Sequence, residues 1–531
     1  MPERNLQCAT SVGLLAALLA ILTGCGSDDG PSAAQYDLLI VNGSVYAGGN
    51  EPPRKSNIGV IGDRIASIDA PADAPAELVI DATGLAVMPG FIDPHTHALE
   101  DLKSATGNAN ANFLMQGVTT VFVGNDGGGM PDLSETLGLL RAQGMGTSAA
   151  FYAGHGNIRQ MVMGLENREP AEGELGQMRE LVDAQMRAGA LGLSTGLYYT
   201  PGSFATTEEV IELAKVAARY GGVYDSHMRD ESSYSIGLVG AVEEVIAIAE
   251  QANLPGHIAH LKALGRDVWG QSGDIIALVD EARRRGVDVT ADQYPYPASG
   301  TSLESSLIPA WVRADSDEAM FERISNPDLA SGIREEMEAN LWRRGGAETL
   351  LVTGPDSRWR GMTLQQIAEE MGVDPIEAAV AVVREGDPSI ASFNMDLPDI
   401  HAFAIQDWVM TGSDGSEGHP RKYGTYPTVY REMVLGAQLF PVERFVHRSS
   451  GRVADFAGLC DRGYLEEGRK ADIVVIDLAN YRPRADFTNP TALAEGVVHA
   501  LVNGRFAIRD GGLTGELPGE VVDRQNLACP D

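Results

Sequence analysis

The residues best suited to chemistry stand at the ends of apolar runs. Phe91-Ile-Asp93 leads into Pro94-His95-Thr96-His97. Side chains alternate along an extended segment, so His95 and His97 face the same side and both imidazoles can reach one metal ion. Further runs end likewise in a potential ligand. Asp126 closes residues 117–126, His227 closes 223–227, His260 closes 256–260 and Asp414 closes 408–414. Imidazole and carboxylate are the ligands that a borderline divalent ion such as Zn²⁺ prefers, and this set suits one or two ions. A bound divalent ion acidifies water and polarises a carbonyl, so the chemistry on offer is hydrolysis.

Groups so far apart in sequence need a frame that makes them converge. Eight strand-like runs, at 86–93, 117–126, 148–155, 190–197, 223–227, 256–260, 287–294 and 408–414, are interleaved with helical periodicity, for example over 207–220 and 237–251. That alternation predicts an α/β fold, a (β/α)8 TIM-like barrel, whose active site lies at the C-terminal ends of the strands. The polar residues fall where this rule puts them. The barrel is expected over 88–455, and the stretch 299–400 is too long for one strand–helix link, so it predicts an inserted subdomain or lid. Short β-branched runs at 36–46, 58–61 and 64–68 have counterparts at 471–477, 497–502 and 506–508. They predict a small discontinuous β-sandwich domain built from both chain ends, 36–87 and 462–525.

Composition narrows the partners. The 531 residues hold 40 basic and 74 acidic side chains, a net charge of −34, with 44% hydrophobic residues. The balance is that of a globular protein, and it lacks the positive field that nucleic acid or anionic lipid requires. No nucleic-acid partner is expected. Arg4 precedes an apolar run over 12–22 that ends in Leu22-Thr23-Gly24-Cys25. The run is too short for the roughly 20 residues of a spanning helix and reads as the core of a signal peptide. Leu-Thr-Gly-Cys resembles a bacterial lipobox, which implies a signal peptide over 1–24, lipidation at Cys25, a linker over 25–35 and a place in the bacterial cell envelope. Membrane contact would then come only through the N-terminal lipid. Of the four cysteines, none with metal-type C-x-x-C spacing, Cys460 and Cys529 would remain beside the anchor, and their pairing stays open.

Several segments, taken in chain order, resemble the amidohydrolase superfamily and, more narrowly, its N-acyl-D-amino-acid deacylase (D-aminoacylase) branch. They are Val87-Met-Pro-Gly-Phe-Ile-Asp-Pro-His-Thr-His97, Gly117-Val-Thr-Thr-Val121, Ser226-His-Met-Arg229, Ala259-His-Leu-Lys262, Asp292-Gln-Tyr-Pro-Tyr296, Gly412-Ser-Asp-Gly415 and His419-Pro-Arg-Lys-Tyr-Gly-Thr425. The resemblance runs from about residue 36 to 521. It implies hydrolysis of the amide bond of N-acyl-D-amino acids, with a small N-acyl amino acid as partner and Zn²⁺ as cofactor. His227 and His260 would hold the tighter metal, His95 and His97 a weaker one, and Asp414 would contact metal and shuttle the proton. Many superfamily members bridge their metals with a modified lysine on strand four, but residues 190–197 contain none. The branch instead uses a cysteine ending strand two, where this chain has Asp126. A carboxylate is a harder ligand and can bridge two ions, so Asp126 suits that place. Arg421 is a bidentate donor suited to the substrate's α-carboxylate, while Tyr296, Ser302 and Tyr198 are candidates for substrate contact. Lys262 and Arg229 sit beside ligands and are expected to orient them. His155 with Arg159 resembles the family's Gly-His-x-x-x-Arg pattern, to which no chemical step is assigned.

Other readings compete. Gly192-Leu-Ser194-Thr-Gly196 matches the nucleophile elbow of serine hydrolases, but that elbow must turn directly into a helix, and Tyr198-Tyr-Thr-Pro-Gly202 follows. A cyclic-amide hydrolase of the hydantoinase kind, or an isoaspartyl dipeptidase, would share the superfamily. The missing strand-four lysine weighs against the first. A non-catalytic binding lipoprotein is disfavoured because all four histidines and Asp414 are kept.

Overall fold

The computed structural model describes residues 36–524, 527 and 529–530. The expected signal peptide, Cys25 and linker lie outside the described residues.

Eight strands form the barrel: Phe91–Asp93, Val118–Val123, Ser148–Phe151, Gly192–Gly196, Val223–His227, Gly256–Ile258, Val289–Gln293 and Val409–Thr411. All are buried along their whole length, as parallel strands covered by helices must be. The third is interrupted at Tyr152; Ala153–Gly154 continues it and pairs with the fourth. Before that break, the C-terminal tail lies along its edge, with Ala149 N–H donating to Glu520 O and Val522 N–H to Ala149 O. The eighth strand meets the first just beyond their ends, where Asp414 N–H donates to His95 O at 2.9 Å. Barrel closure therefore joins two of the residues singled out for chemistry.

Helices between the strands obey local rules. Thr207–Ala218 starts where the Thr206 hydroxyl accepts from Glu209 N–H, carries Glu208 and Glu209 in its first turn and Lys215 in its last, and buries Val210, Leu213, Ala214 and Ala217. Burying each valine or leucine is worth about 1.5–3 kcal/mol. Gly237–Ala252 stops at Asn253, whose backbone is left-handed (φ 54°).

The chain ends merge into one nine-strand sheet. Ile473–Ile476 runs antiparallel to Ala86–Pro89, and Tyr36–Val45 pairs with Ala86–Pro89, Ala76–Asp81 and Arg54–Ile61. Alternation makes Ile473–Ile476 a seam: Ile473 and Val475 pack with Leu38, Ile58 and Val60, while Val474 and Ile476 join the barrel core. Between the seventh and eighth barrel strands, Ala298–Ser302, Leu350–Val352 and Ser389–Phe393 form an antiparallel sheet. Helices that include Ala330–Arg343 and Pro375–Gly386 pack on it around Leu303, Leu307, Ile333, Met337, Leu364 and Ile390, a core of its own. Helix Leu397–Ala404 already packs on Ser272–Arg284, so the insertion ends near Phe393. Cys460 and Cys529 form a disulfide with Cα atoms 5.2 Å apart, which settles the pairing left open above.

Candidate active site

A cavity of about 330 Å³ opens at the C-terminal ends of the strands, lined by His97, Asp126, His227, His260, Asp414 and Arg421 among others. His95 lies just beneath, with no exposed surface. Asp126 is the hub. Its Oδ1 lies 3.3 Å from His95 Nε2, 3.6 Å from His227 Nδ1 and 3.5 Å from His260 Nε2, and its Oδ2 lies 3.4 Å from His97 Nε2. Asp414 Oδ1 is 3.1 Å from His97 Nε2 and 3.7 Å from His95 Nε2, while its Oδ2 pairs with Arg421 Nη1 at 2.7 Å. Asp126, His260 and Asp414 all have positive φ (57°, 36° and 46°). Such backbone costs energy in residues other than glycine and persists only where its surroundings over-determine it.

The surroundings here are a floor of buried carboxylates. Asp292 Oδ1 accepts from His260 N–H at 2.9 Å; Asp93 Oδ1 accepts from Ser413 N–H at 3.0 Å; Asn125 Nδ2 donates to Asp225 Oδ2 at 3.1 Å and to Pro94 O at 3.0 Å. Burial pushes Asp93 up to about 7 and Asp225 to about 6. The upper tier has the opposite balance. Burial pulls the imidazoles down, but the Asp126 charge lifts His95 to about 10, and Asp414 and Glu231 help lift His260 to about 9 despite the nearby Lys262. His227 stays below its ordinary value because burial dominates. Against the cost of burial, Arg421 and the histidines hold Asp414 far below the usual carboxylate range. The cluster thus sets imidazoles in the negative field of Asp126 and Asp414, a field that favours a bound cation.

The other expected residues divide. Lys262 Nζ lies 2.6 Å from His260 Nδ1 and 2.5 Å from Glu231 Oε1. Ser302 and Tyr198 line the cavity, where the Tyr198 hydroxyl donates to Ser305 O at 2.8 Å. Tyr296 does not line it: the chain turns away at Pro295, its hydroxyl meets Thr428 Oγ1 at 3.0 Å, and Tyr294 takes the cavity wall instead. Arg229 does not support a ligand either. Strand geometry ends at His227, and Arg229 binds Glu244 on the following helix at 2.8 Å. Glu231, four residues after His227, does what was expected of Arg229, with Oε1 3.0 Å from His260 Nδ1. Glu231 and Lys262 together occupy the Nδ1 side of the ring, so Nε2 is the atom turned toward Asp126. The only sequence signal for it was an acidic residue in the loop after a ligand-bearing strand. His155 and Arg159 converge on Glu209 (His155 Nε2 to Oε1, 2.8 Å), outside the cavity. Ser194 is fully buried and donates to Gly124 O, so the elbow-like motif presents no nucleophile.

The amidohydrolase family model Amidohydro_3 matches residues 78–292. D-aminoacylase of Alcaligenes xylosoxydans xylosoxydans is 33% identical over 517 residues, covering 92% of this chain and 98% of that one. This chain belongs to the D-aminoacylase family of amidohydrolases. Among solved structures, D-aminoacylase with a binuclear metal centre is 31% identical, with a TM-score of 0.79 over 92% of this chain and 100% of that one. N-acyl-D-glutamate deacylase from Bordetella bronchiseptica, solved with zinc and a phosphonate mimic of the tetrahedral intermediate, is 30% identical with the same TM-score and coverage.

The residues of this D-aminoacylase relative fit a metal. His95 Nδ1 and Nε2, His227 Nδ1 and Asp126 Oδ1 are buried without a hydrogen-bond partner. Ligand atoms of His95, Asp126, His260 and Asp414 lie within 4.8 Å of one another. A second grouping of His227, Glu231 and His260 also meets that distance, but Glu231 is already engaged by Lys262, so the Asp126-centred set is the better cradle.

Proposed function

We propose that this chain hydrolyses the amide bond of N-acyl-D-amino acids, giving a D-amino acid and a carboxylate. The observation that carries this reading is Asp414, which faces the imidazole cluster with one oxygen and a buried arginine with the other, on the wall of the cavity. His95, His97, Asp126, His227, His260 and Asp414 are the residues that would hold one or two Zn²⁺ ions. Zn²⁺ bound there supplies acidified water and a polarised carbonyl. Asp414 Oδ1 takes the proton released as water attacks the carbonyl carbon and delivers it to the amide nitrogen, so the C–N bond breaks with a neutral amine leaving. Arg421 receives the α-carboxylate, competing with Asp414 Oδ2 for the guanidinium. Tyr198 and Ser302 border the bound substrate, and Glu231 with Lys262 fixes the orientation of His260. The D configuration is supported by the relatives' activities alone.

A panel of N-acetyl-D- and N-acetyl-L-amino acids, assayed after chelation and again after zinc is restored, tests the reading. Zinc-dependent release of D-amino acids is expected; turnover confined to L substrates, or indifferent to chelation, would overturn it. We also propose that Cys25 carries a lipid that tethers the enzyme to the cell envelope, supported by Leu22-Thr23-Gly24-Cys25 and in keeping with an oxidised Cys460–Cys529 pair. Cys25→Ser should shift the protein from the membrane to the soluble fraction.

A further inference from the structure

Arg344, at the C-terminal end of helix Ala330–Arg343 in the insertion, lines the same cavity and is 2% exposed. Its Nε donates to Ser306 O at 3.1 Å and its Nη2 to the Tyr198 hydroxyl at 3.4 Å, with the guanidinium 5.8 Å from the Tyr234 ring centroid. Its Nη1 has no hydrogen-bond partner, and among the described residues no carboxylate pairs with it. Other buried arginines are compensated. Arg159 meets Glu209, Arg421 meets Asp414, and Arg462 meets Asp461 and Asp472; Arg448, which has only two carbonyls as partners, does not line the cavity. A buried cation without a counter-charge is costly, and it is a ready receptor for an anion that arrives with a ligand.

Its position specifies which anion. Arg421 flanks the cluster at Asp414, whereas Arg344 flanks it from the opposite side through Tyr198, whose ring lies 5.9 Å from that of His227. The insertion strand Ala298–Ser302 spans the gap. Gly300 touches Arg421, since a Cβ there would lie 2.9 Å from Nη2, and Ser302 leads to Ser305, whose carbonyl holds Tyr198. The wall between the two guanidinium groups carries hydroxyls at Ser299, Thr301, Ser302, Ser305 and Ser389, with Leu264 and Ile390 also lining the cavity. Relatives named for acidic and for unspecified side chains are about equally similar, so overall identity does not choose between them.

We propose that Arg344 is the receptor for a second carboxylate on the substrate, carried by the amino-acid side chain, and that the preferred substrates are N-acyl-D-amino acids of the aspartate or glutamate type. The inference rests on the deacylase reading above. The zinc-loaded enzyme is to be assayed with N-acetyl-D-glutamate, N-acetyl-D-aspartate, N-acetyl-D-glutamine, N-acetyl-D-methionine and N-succinyl-D-alanine. In wild type, kcat/KM for one acidic substrate should exceed that for the glutamine isostere by about tenfold or more. Arg344→Met should reduce the glutamate-to-glutamine ratio by about 50-fold, mostly through KM, and Arg344→Lys should restore part of it. Preference for a neutral side chain in wild type, equal losses on both substrates in Arg344→Met, or preference for the succinyl compound would each overturn the assignment, the last by moving the second carboxylate to the acyl group. If Arg344→Met does not fold, the wild-type ratio alone decides. Failure to cleave any compound in the panel would instead refute the deacylase reading itself.

Discussion

Asp414 combines three constraints in one residue: a left-handed backbone, an oxygen facing two imidazoles and an oxygen on a buried guanidinium. Asparagine preserves shape and removes the proton acceptor. Asp414→Asn should lower kcat by a factor on the order of 10³ or more in steady-state assays of protein shown by circular dichroism to be folded, and it should also lower the unfolding temperature, because it leaves the buried Arg421 without its counter-charge. Glu231 acts one step further out. Because its carboxylate lies against both His260 Nδ1 and Lys262 and so fixes the orientation of the imidazole, Glu231→Gln should weaken zinc binding by about 10- to 100-fold, read by competition with a chromophoric chelator. Both effects belong to single atoms and need no movement of the frame.

At the scale of elements, helix His155–Met163 props the loop that presents Asp126. Asn157 N–H donates to Gly127 O and the Asn157 amide to Gly129 O, while a Cβ on Gly154 would collide with Gly129 N, so the loop and the helix start fit only without a side chain there. Glu209 locks that helix to Thr207–Ala218 through His155 and Arg159. Burial raises the Glu209 carboxyl, but His155 and Arg159 outweigh it and its pKa ends lowered. The stabilisation is therefore present above the unfolded value, about 4.3, and is lost as pH falls through the folded one. Glu209→Gln should cost about 3–5 kcal/mol at pH 7 by leaving Arg159 uncompensated, and the deficit should narrow on acidification, as measured by urea unfolding. The barrel strands and their terminal ligands were legible in the sequence because period and position both report them. Glu231 and Arg344 were not, since an acidic loop residue and an arginine at a helix end carry no spacing signal until the loops and the insertion fold over the cavity. Tyr296 misled for a related reason: alternation holds only as far as the strand, and Pro295 ends it.

Across the whole molecule, the two chain ends are bound to the barrel by the seam at Ile473–Ile476 and by the tail beside the third strand. The Cys460–Cys529 bond fastens that tail, closing a loop with a sequence separation of 69. Chain entropy gives such a link about 4.4 kcal/mol at most, so replacing both cysteines by serine should lower the melting temperature by a few degrees, read by calorimetry. The tail meets the barrel at the start of the third strand, away from the cavity, and turnover at 25 °C should be retained. The aspartate at position 126 has one more consequence. A sulfur ligand can be alkylated or oxidised, but a carboxylate cannot, and Cys460 and Cys529 are bonded to each other, so the described residues contain no free thiol. Catalysis should withstand iodoacetamide and peroxide, whereas Asp126→Cys should make the same enzyme vulnerable to both.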